Sequence, residues 1–264
     1  MRSLGLGHFT FLDLNPIDLV RLARATGFDF VGLRFYPVAP GGVSWLPDAA
    51  GLTELARVMD GEGIALYDIE TIVIDEALDP DTLIPALNAA RSLGGKRINV
   101  CADVFQSLPE SFLRVCNLAA SHELGVDLEC MAWRGISSPR ACFDLIEASG
   151  AANAAYLVDA LHHSRCGGTL RDLVEAPAGR LVSAQLCDAN AVAPRDTEGM
   201  VAEARGGRLL PGQGGLDLAG IVRALPQETV ISVELPSATD ARPPLERAQA
   251  IFSAAASLFD TEEK

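Results

Sequence analysis

Basic residues are scarce in this chain: 21 lysines and arginines stand against 35 aspartates and glutamates, a formal net charge of −14 over 264 residues. A field of that sign repels phosphate backbones and anionic lipid, so nucleic acid and membrane surfaces are not expected as partners, although a local basic pocket for a small anion is compatible with it. No run comes near the roughly 18 uninterrupted apolar residues of a membrane-crossing helix. The first residues also lack a basic stretch followed by an apolar segment and a cleavage site. The expectation is a soluble, cytoplasmic protein. The six cysteines (101, 116, 130, 142, 166 and 187) show no CxxC or paired spacing and mostly fall in apolar patterns, so they read as reduced core residues. Cys166 and Cys187 sit near expected strand ends, where a reactive thiol is the alternative. No Gly-x-Gly-x-x-Gly follows the first strand, since Leu4-Gly-Leu-Gly7 lies inside it. Low-complexity segments are absent too.

What is present is a regular alternation. Hydrophobic residues make up 49% and charged ones 21%, enough apolar side chain for a large core. Short β-like runs appear at Leu4–His8, Phe28–Arg34, Ile64–Ile69, Arg97–Cys101, Val126–Met131, from Tyr156, and at Leu181–Leu186 and Val230–Leu235. Between them lie helical stretches opened by cap or proline signals at Asn15-Pro16, Asp48, Asp79-Pro80, Pro109, Ser138-Pro139, about Thr169, Asp217 and about Pro243. A loop rich in proline and glycine (Pro37 to Pro47) is long enough to cover a site, and a second long loop runs from Cys187 to Gly215. Eight strand–helix units with no compositional break predict a single (β/α)8 TIM-barrel domain of the α/β class over residues 1–264, in keeping with the typical length of about 250 residues. A doubly wound open sheet is the alternative. The acidic tail Asp260–Lys264 reads as a solvated end.

Four apolar runs end in oxygen-bearing side chains: Glu129, Asp159, Gln185 and Glu234, on the expected fifth to eighth strands. In a closed parallel barrel all strand ends face one rim, where catalytic groups gather. Three carboxylates and an amide oxygen make a hard site suited to one divalent ion, Mn2+, Mg2+ or Co2+, rather than structural zinc. The plainer alternative pairs each acid with a basic neighbour or a helix N-terminus. Around them, His162 suits substrate orientation or a hydrogen bond to a metal ligand, and His163 suits packing. Arg208, in a glycine-rich loop, suits a substrate hydroxyl, carboxylate or phosphate, with Arg165 and Arg205 as weaker versions. Glu70 ends the third strand and is placed to bond a hydroxyl. His8, Arg34 and Trp133 also sit at strand ends; Trp133 and His8 are candidate pocket residues, with packing at the core or rim as the competing role.

These residues carry a resemblance. Glu129, Asp159-x-x-His162, Gln185 with Asp188, Arg208-x-x-Pro211-Gly-x-Gly214 and Glu234 are similar to the motifs of the xylose isomerase-like TIM-barrel superfamily, which includes sugar isomerases and epimerases, inosose and 3-dehydroshikimate dehydratases, and endonuclease IV. The resemblance spans almost the whole chain. It implies proton abstraction next to the carbonyl of a small polyhydroxylated substrate, aided by a metal, with Glu129 and Glu234 as both metal ligands and the acid–base pair. The expected activity is that of an isomerase or epimerase. A dehydratase of the 3-dehydroshikimate or keto-inositol type is the alternative, since Gln185 replaces the family's usual histidine as in some 3-dehydroshikimate dehydratases. A barrel without activity, serving as a binding subunit, is a third. Endonuclease IV is disfavoured, because its three-metal site needs further histidines and this chain has only 4. The resemblance also implies a possible homo-oligomer.

Overall fold

The computed structural model describes residues 3–259, so the acidic tail lies outside the described residues. Strands β1 (Leu4–Leu6), β2 (Phe30–Leu33), β3 (Ala65–Ile74), β4 (Arg97–Ala102), β5 (Gly125–Leu128), β6 (Ala154–Asp159), β7 (Ser183–Leu186) and β8 (Val230–Val233) pair in chain order. Every ladder is parallel, and β8 returns to β1 through Leu4↔Ile231 and Leu6↔Val233, which closes the barrel. A strand-to-strand parallel step requires a crossover, and helices supply it. They are α1 (Pro16–Thr26), α2 (Ala49–Glu62), α3 (Ile84–Ser92), α4 (Leu108–Ser121), α5 (Pro139–Ser149), α6 (Ala160–Arg165), α7 (Leu170–Val174), α8 (Thr197–Gly206), α9 (Leu218–Ala224) and α10 (Pro244–Ala256). The expected (β/α)8 architecture is the observed one.

Local chemistry sets the helix limits. Asn15 accepts a hydrogen bond from the Asp18 N–H, Pro16 pre-sets the first turn, and Gly27 ends α1 at φ 99°, a left-handed conformation that costs other residues more. Leu19, Val20 and Ala23 of α1 are buried against the barrel, while Ser138 caps α5 by accepting from the Ala141 N–H. Among the described residues no helix is long and apolar enough to cross a membrane. All six cysteines are free, and only Cys166 is other than buried.

Three elements differ from the sequence expectation. β3 does not stop before Glu70 but runs on to Ile74, and its ladder with β4 is irregular between Ile69 and Ile72. α6 follows β6 without a loop; six residues are too few for a periodic apolar face to be read, and its start is fixed by Asp159, whose Oδ1 accepts from the His162 N–H at 2.9 Å. α8 forms within the long loop after β7, with only Glu203 and Ala204 fully buried.

Inside the barrel, below the C-terminal rim, lies a polar layer. Arg97 donates to Asp127 Oδ1 at 2.7 Å, and Asn99 donates to Asp68 Oδ2 at 3.2 Å. Burial pushes the Asp68 carboxyl up to about 7 against the hydrogen bond from Asn99. His8 is a bracket of another kind: Nδ1 accepts from the Arg34 N–H at 3.0 Å and Nε2 donates to the Leu14 carbonyl at 2.9 Å, which fixes a neutral imidazole. Burial lowers its pKa to about 4.

The loop after β7 is held by one carboxylate. Asp188 accepts from the N–H groups of Ala189 at 2.9 Å, Gly212 at 3.0 Å, Gly214 at 2.9 Å and Leu216 at 3.0 Å. A Cβ on Gly214 would lie 2.2 Å from the Ala189 carbonyl oxygen, so only glycine lets the two segments approach. Asp188→Ala should destabilise the protein by about 3 kcal/mol or more in urea unfolding, because it orphans several donors at once. The His8 imidazole gives a pH test. Between about 4 and 6.5 the unfolded chain binds a proton that folded His8 refuses, so its contribution to stability is complete above that window and is lost as pH falls through it. From pH 7 to 4 the wild type should therefore lose roughly 3 kcal/mol more than His8→Gln.

Candidate metal and catalytic site

The barrel delivers the four strand-end groups to one rim. Glu129 follows β5 and donates its N–H to the Val100 carbonyl at 2.8 Å; Asp159 is the last residue of β6 and stands opposite Gln185 in the β6–β7 ladder; Glu234 follows β8, its N–H on the Leu186 carbonyl at 3.2 Å. All four are buried. Within this group the contacts divide. Ligand atoms of Glu129, Asp159 and His162 lie within 4.8 Å of one another. Gln185 and Glu234 pair with each other instead, the amide nitrogen donating to Glu234 Oε2 at 2.8 Å.

Arg208 joins the two halves. Its NH1 donates to Asp159 Oδ2 at 2.5 Å and to the Glu234 carbonyl at 3.0 Å, its NH2 to Glu234 Oε1 at 3.2 Å and His162 Nε2 at 3.4 Å, and its Nε to the Ala204 carbonyl at 3.0 Å. The sequence reading placed Arg208 toward substrate. The structure shows a fully buried guanidinium between two carboxylates, where its charge is the main compensation for theirs.

The electrostatics follow from that arrangement. Burial, reinforced by the charges of Asp159 and Glu234, pushes Glu129 well above the usual carboxylate range. Glu234 is likewise raised by burial and by Glu70, against the pull of Arg208. Asp159 is the exception: burial pushes it up, but Arg208 and His162 outweigh that and hold it below its ordinary value. Burial lowers His162 to about 4, so its 3.8 Å approach to Glu129 Oε1 is that of a neutral ring near neutral pH rather than an ion pair. Because a guanidinium only donates, the contact with Arg208 makes Nε2 the lone-pair nitrogen, and an ion bound there would take the place of that N–H.

The donor set fits a divalent cation. Glu129 Oε1 is buried with no hydrogen-bond partner, and two carboxylates beside a neutral imidazole form a three-residue group able to coordinate such an ion. Trp133 meets His162 edge-on at 5.2 Å between ring centroids and walls the pocket. That pocket, of about 310 Å³, is lined by Glu129, His162, Arg208 and Glu234 together with Phe9, Arg34, Trp133, Arg134 and Arg205, and Val38 and Val43 of the 37–47 loop also line it.

The remaining candidates are engaged differently. Both nitrogens of His8 serve backbone groups, as described. Arg165 binds Glu203 of α8 through two contacts of 2.8 Å and the Asn190 carbonyl at 2.7 Å. Glu70 accepts the Phe9 N–H at 2.6 Å, and burial raises its carboxyl against the opposing effect of Arg34. Arg134 is not among the residues expected at the site; it adjoins Trp133 beyond the fifth strand run but carries no motif, and its place in the wall arises from a turn after β5 anchored by Asp103 at 2.9 Å.

Fold and site together define a metal-binding barrel enzyme, and comparison with known proteins supplies its family. The model of the xylose isomerase-like TIM barrel matches residues 20–256, and the chain belongs to that family. A 3-dehydroshikimate dehydratase of Pseudomonas aeruginosa is 29% identical over 128 residues, which take in 47% of this chain but only 20% of that protein. Among solved structures, an IolI protein with a bound zinc atom superposes with a TM-score of 0.80 at 17% identity, covering 98% of both chains. A xylose isomerase-like TIM barrel/4-hydroxyphenylpyruvate dioxygenase fusion protein superposes at 0.81 with 19% identity, over 98% of this chain and 43% of that one. At such identities the two structures establish shared fold.

Arg208→Met should destabilise the protein by about 3–5 kcal/mol when divalent ions are chelated, since Asp159 and Glu234 would then be buried without their counter-charge. Added Mn2+ or Zn2+ should restore part of the lost melting temperature in the variant, and differential scanning calorimetry with and without metal reads both effects.

Proposed function

We propose that this protein removes a proton from the carbon next to the carbonyl of a small polyhydroxylated substrate, as a divalent-metal-dependent isomerase or epimerase. The observation that carries this reading is geometric: buried Glu129, Asp159 and His162 bring ligand atoms within 4.8 Å of one another at the rim of one pocket, with the buried Gln185–Glu234 pair at the same rim. A divalent ion held by Glu129, Asp159 and His162, with Gln185 and Glu234 as further oxygen donors, would supply Lewis-acid polarisation of the substrate carbonyl. A Glu129 carboxylate oxygen takes the proton from carbon, and Glu234, which follows β8 as Glu129 follows β5, returns one. Arg208 keeps Asp159 ionised throughout, and Trp133 with the 37–47 loop limits access of water to the reacting carbon.

A second reading, dehydration, has its own support. Gln185 stands where the family usually has histidine, and the curated relative is a 3-dehydroshikimate dehydratase. In that case Glu234 delivers its proton to a leaving β-hydroxyl instead of to carbon. Both readings begin with the same proton abstraction.

Incubation of the Mn2+-loaded protein with ketoses and with cyclic polyhydroxylated ketones in deuterated water tests them. Deuterium at carbon with the skeleton unchanged is the expected result for an isomerase or epimerase; loss of water with a new enone absorbance would transfer the assignment to the dehydratase. Glu234→Gln should lower turnover by about 10²–10⁴-fold while leaving the circular dichroism unchanged. Full activity in that variant removes Glu234 from the chemistry, and absence of both exchange and bound metal would leave the binding-subunit reading.

A further inference from the structure

Arg34 is the least satisfied buried cation in the pocket. Its backbone is pinned on both sides, the N–H to His8 Nδ1 at 3.0 Å and the carbonyl to the Trp45 N–H at 2.7 Å. The residue is only 6% exposed and faces the same cavity as Glu129, His162 and Glu234. A guanidinium carries five N–H donors, and buried donors are ordinarily paired. Among the described residues, however, no hydrogen bond from the Arg34 side chain is formed. Nε has no partner, and the nearest carboxylate oxygen, Glu70 Oε1, lies 3.9 Å from NH2 and already accepts from the Phe9 N–H. What holds the group is the Phe9 ring, 4.6 Å beneath it, which orients the guanidinium plane but leaves its edge unsatisfied. Arg165 and Arg208, by contrast, are each held by carboxylates and carbonyls at hydrogen-bonding distance.

Arg34 is also not alone. Arg134, whose Nε likewise has no partner, and Arg205 line the same cavity. Arg208 is neutralised by Asp159 and Glu234 and Arg134 is paired with Asp103, so within a chain of net charge −14 it is Arg34, without a hydrogen-bonded carboxylate, that leaves positive charge open to the cavity. A neutral polyol needs no such positive charge.

We propose that Arg34 is the anchor for an anionic oxygen group, a carboxylate or a phosphate, carried by the substrate, with Arg134 and Arg205 shaping the field around it. This rests on the cavity being the substrate site and narrows the substrate to an acidic polyhydroxylated carbonyl compound.

Binding to the full-length protein tests it without turnover. Isothermal titration would compare gluconate (a polyhydroxylated carboxylate), ribitol 5-phosphate and neutral ribitol. At least one anion should bind about tenfold or more tightly than ribitol, and Arg34→Gln should erase that preference while leaving the affinity for ribitol unchanged. Preference for gluconate identifies a carboxylate as the group, and preference for ribitol 5-phosphate identifies a phosphate. Equal affinities for all three in the wild type, no binding by any of them, or an anion preference that survives Arg34→Gln would each overturn the proposal. Arg34→Lys, which keeps the charge but loses the planar fork, should retain an intermediate preference and replaces the glutamine variant should that fail to fold. Anion preference without deuterium exchange into any substrate would sink the enolising reading and leave this one standing; exchange into neutral substrates with no anion preference would do the reverse.

Discussion

Three acids, Glu129, Asp159 and Glu234, lie buried together at the C-terminal rim of this barrel, and the guanidinium of Arg208 is what makes that arrangement tolerable. Carboxylates removed from water need a counter-charge or a proton. Arg208 gives its charge chiefly to Asp159, which is why that carboxyl alone falls below its ordinary value while Glu129 and Glu234 rise. The arginine is fixed in turn by the loop that Asp188 ties together and by the Ala204 carbonyl at the end of α8. The charge balance of the site therefore depends on a segment distant in sequence from the strands that bear the acids.

Asp159 has two structural duties through its two oxygens. Oδ2 receives Arg208, and Oδ1 caps α6, which begins at the next residue. Because a helix turn separates Asp159 from His162, the cap itself carries the imidazole to the Glu129 carboxylate. A group of metal-ligand type arises in this way from the end of one strand and the first turn of one helix. Such positioning is rigid, as a site on packed elements should be.

The pocket has a gradient of charge. Its floor is the acidic cluster, suited to a cation, and its walls carry arginines. In the reading proposed above, a cation held by the acids and an anion held by Arg34 would orient an asymmetric substrate in the cavity, since like charges would oppose the reversed pose. The apolar surfaces of Trp133, Phe9 and the 37–47 loop complete the walls and lower the local polarity, which strengthens each of those interactions.

Much of this was written in the linear pattern. Cap-plus-proline pairs at Asn15-Pro16 and Ser138-Pro139, glycine stops and eight short apolar runs set the order of strands and helices, because those signals act over a turn or two of chain. The repeat of an oxygen-bearing residue at four successive strand ends located the rim and four of its side chains, since a closed parallel barrel allows only one direction for every strand. How those side chains are shared out was not legible. That Arg208 enters between Asp159 and Glu234, that His162 swings to Glu129 on a helix of six residues, and that Arg34 and Arg134 meet in one wall all depend on loops and on approach in space. Local sequence determines which residues reach the rim. Only the closure of the chain decides which charges end up as neighbours, because Coulomb energy depends on distances that the order of residues does not contain.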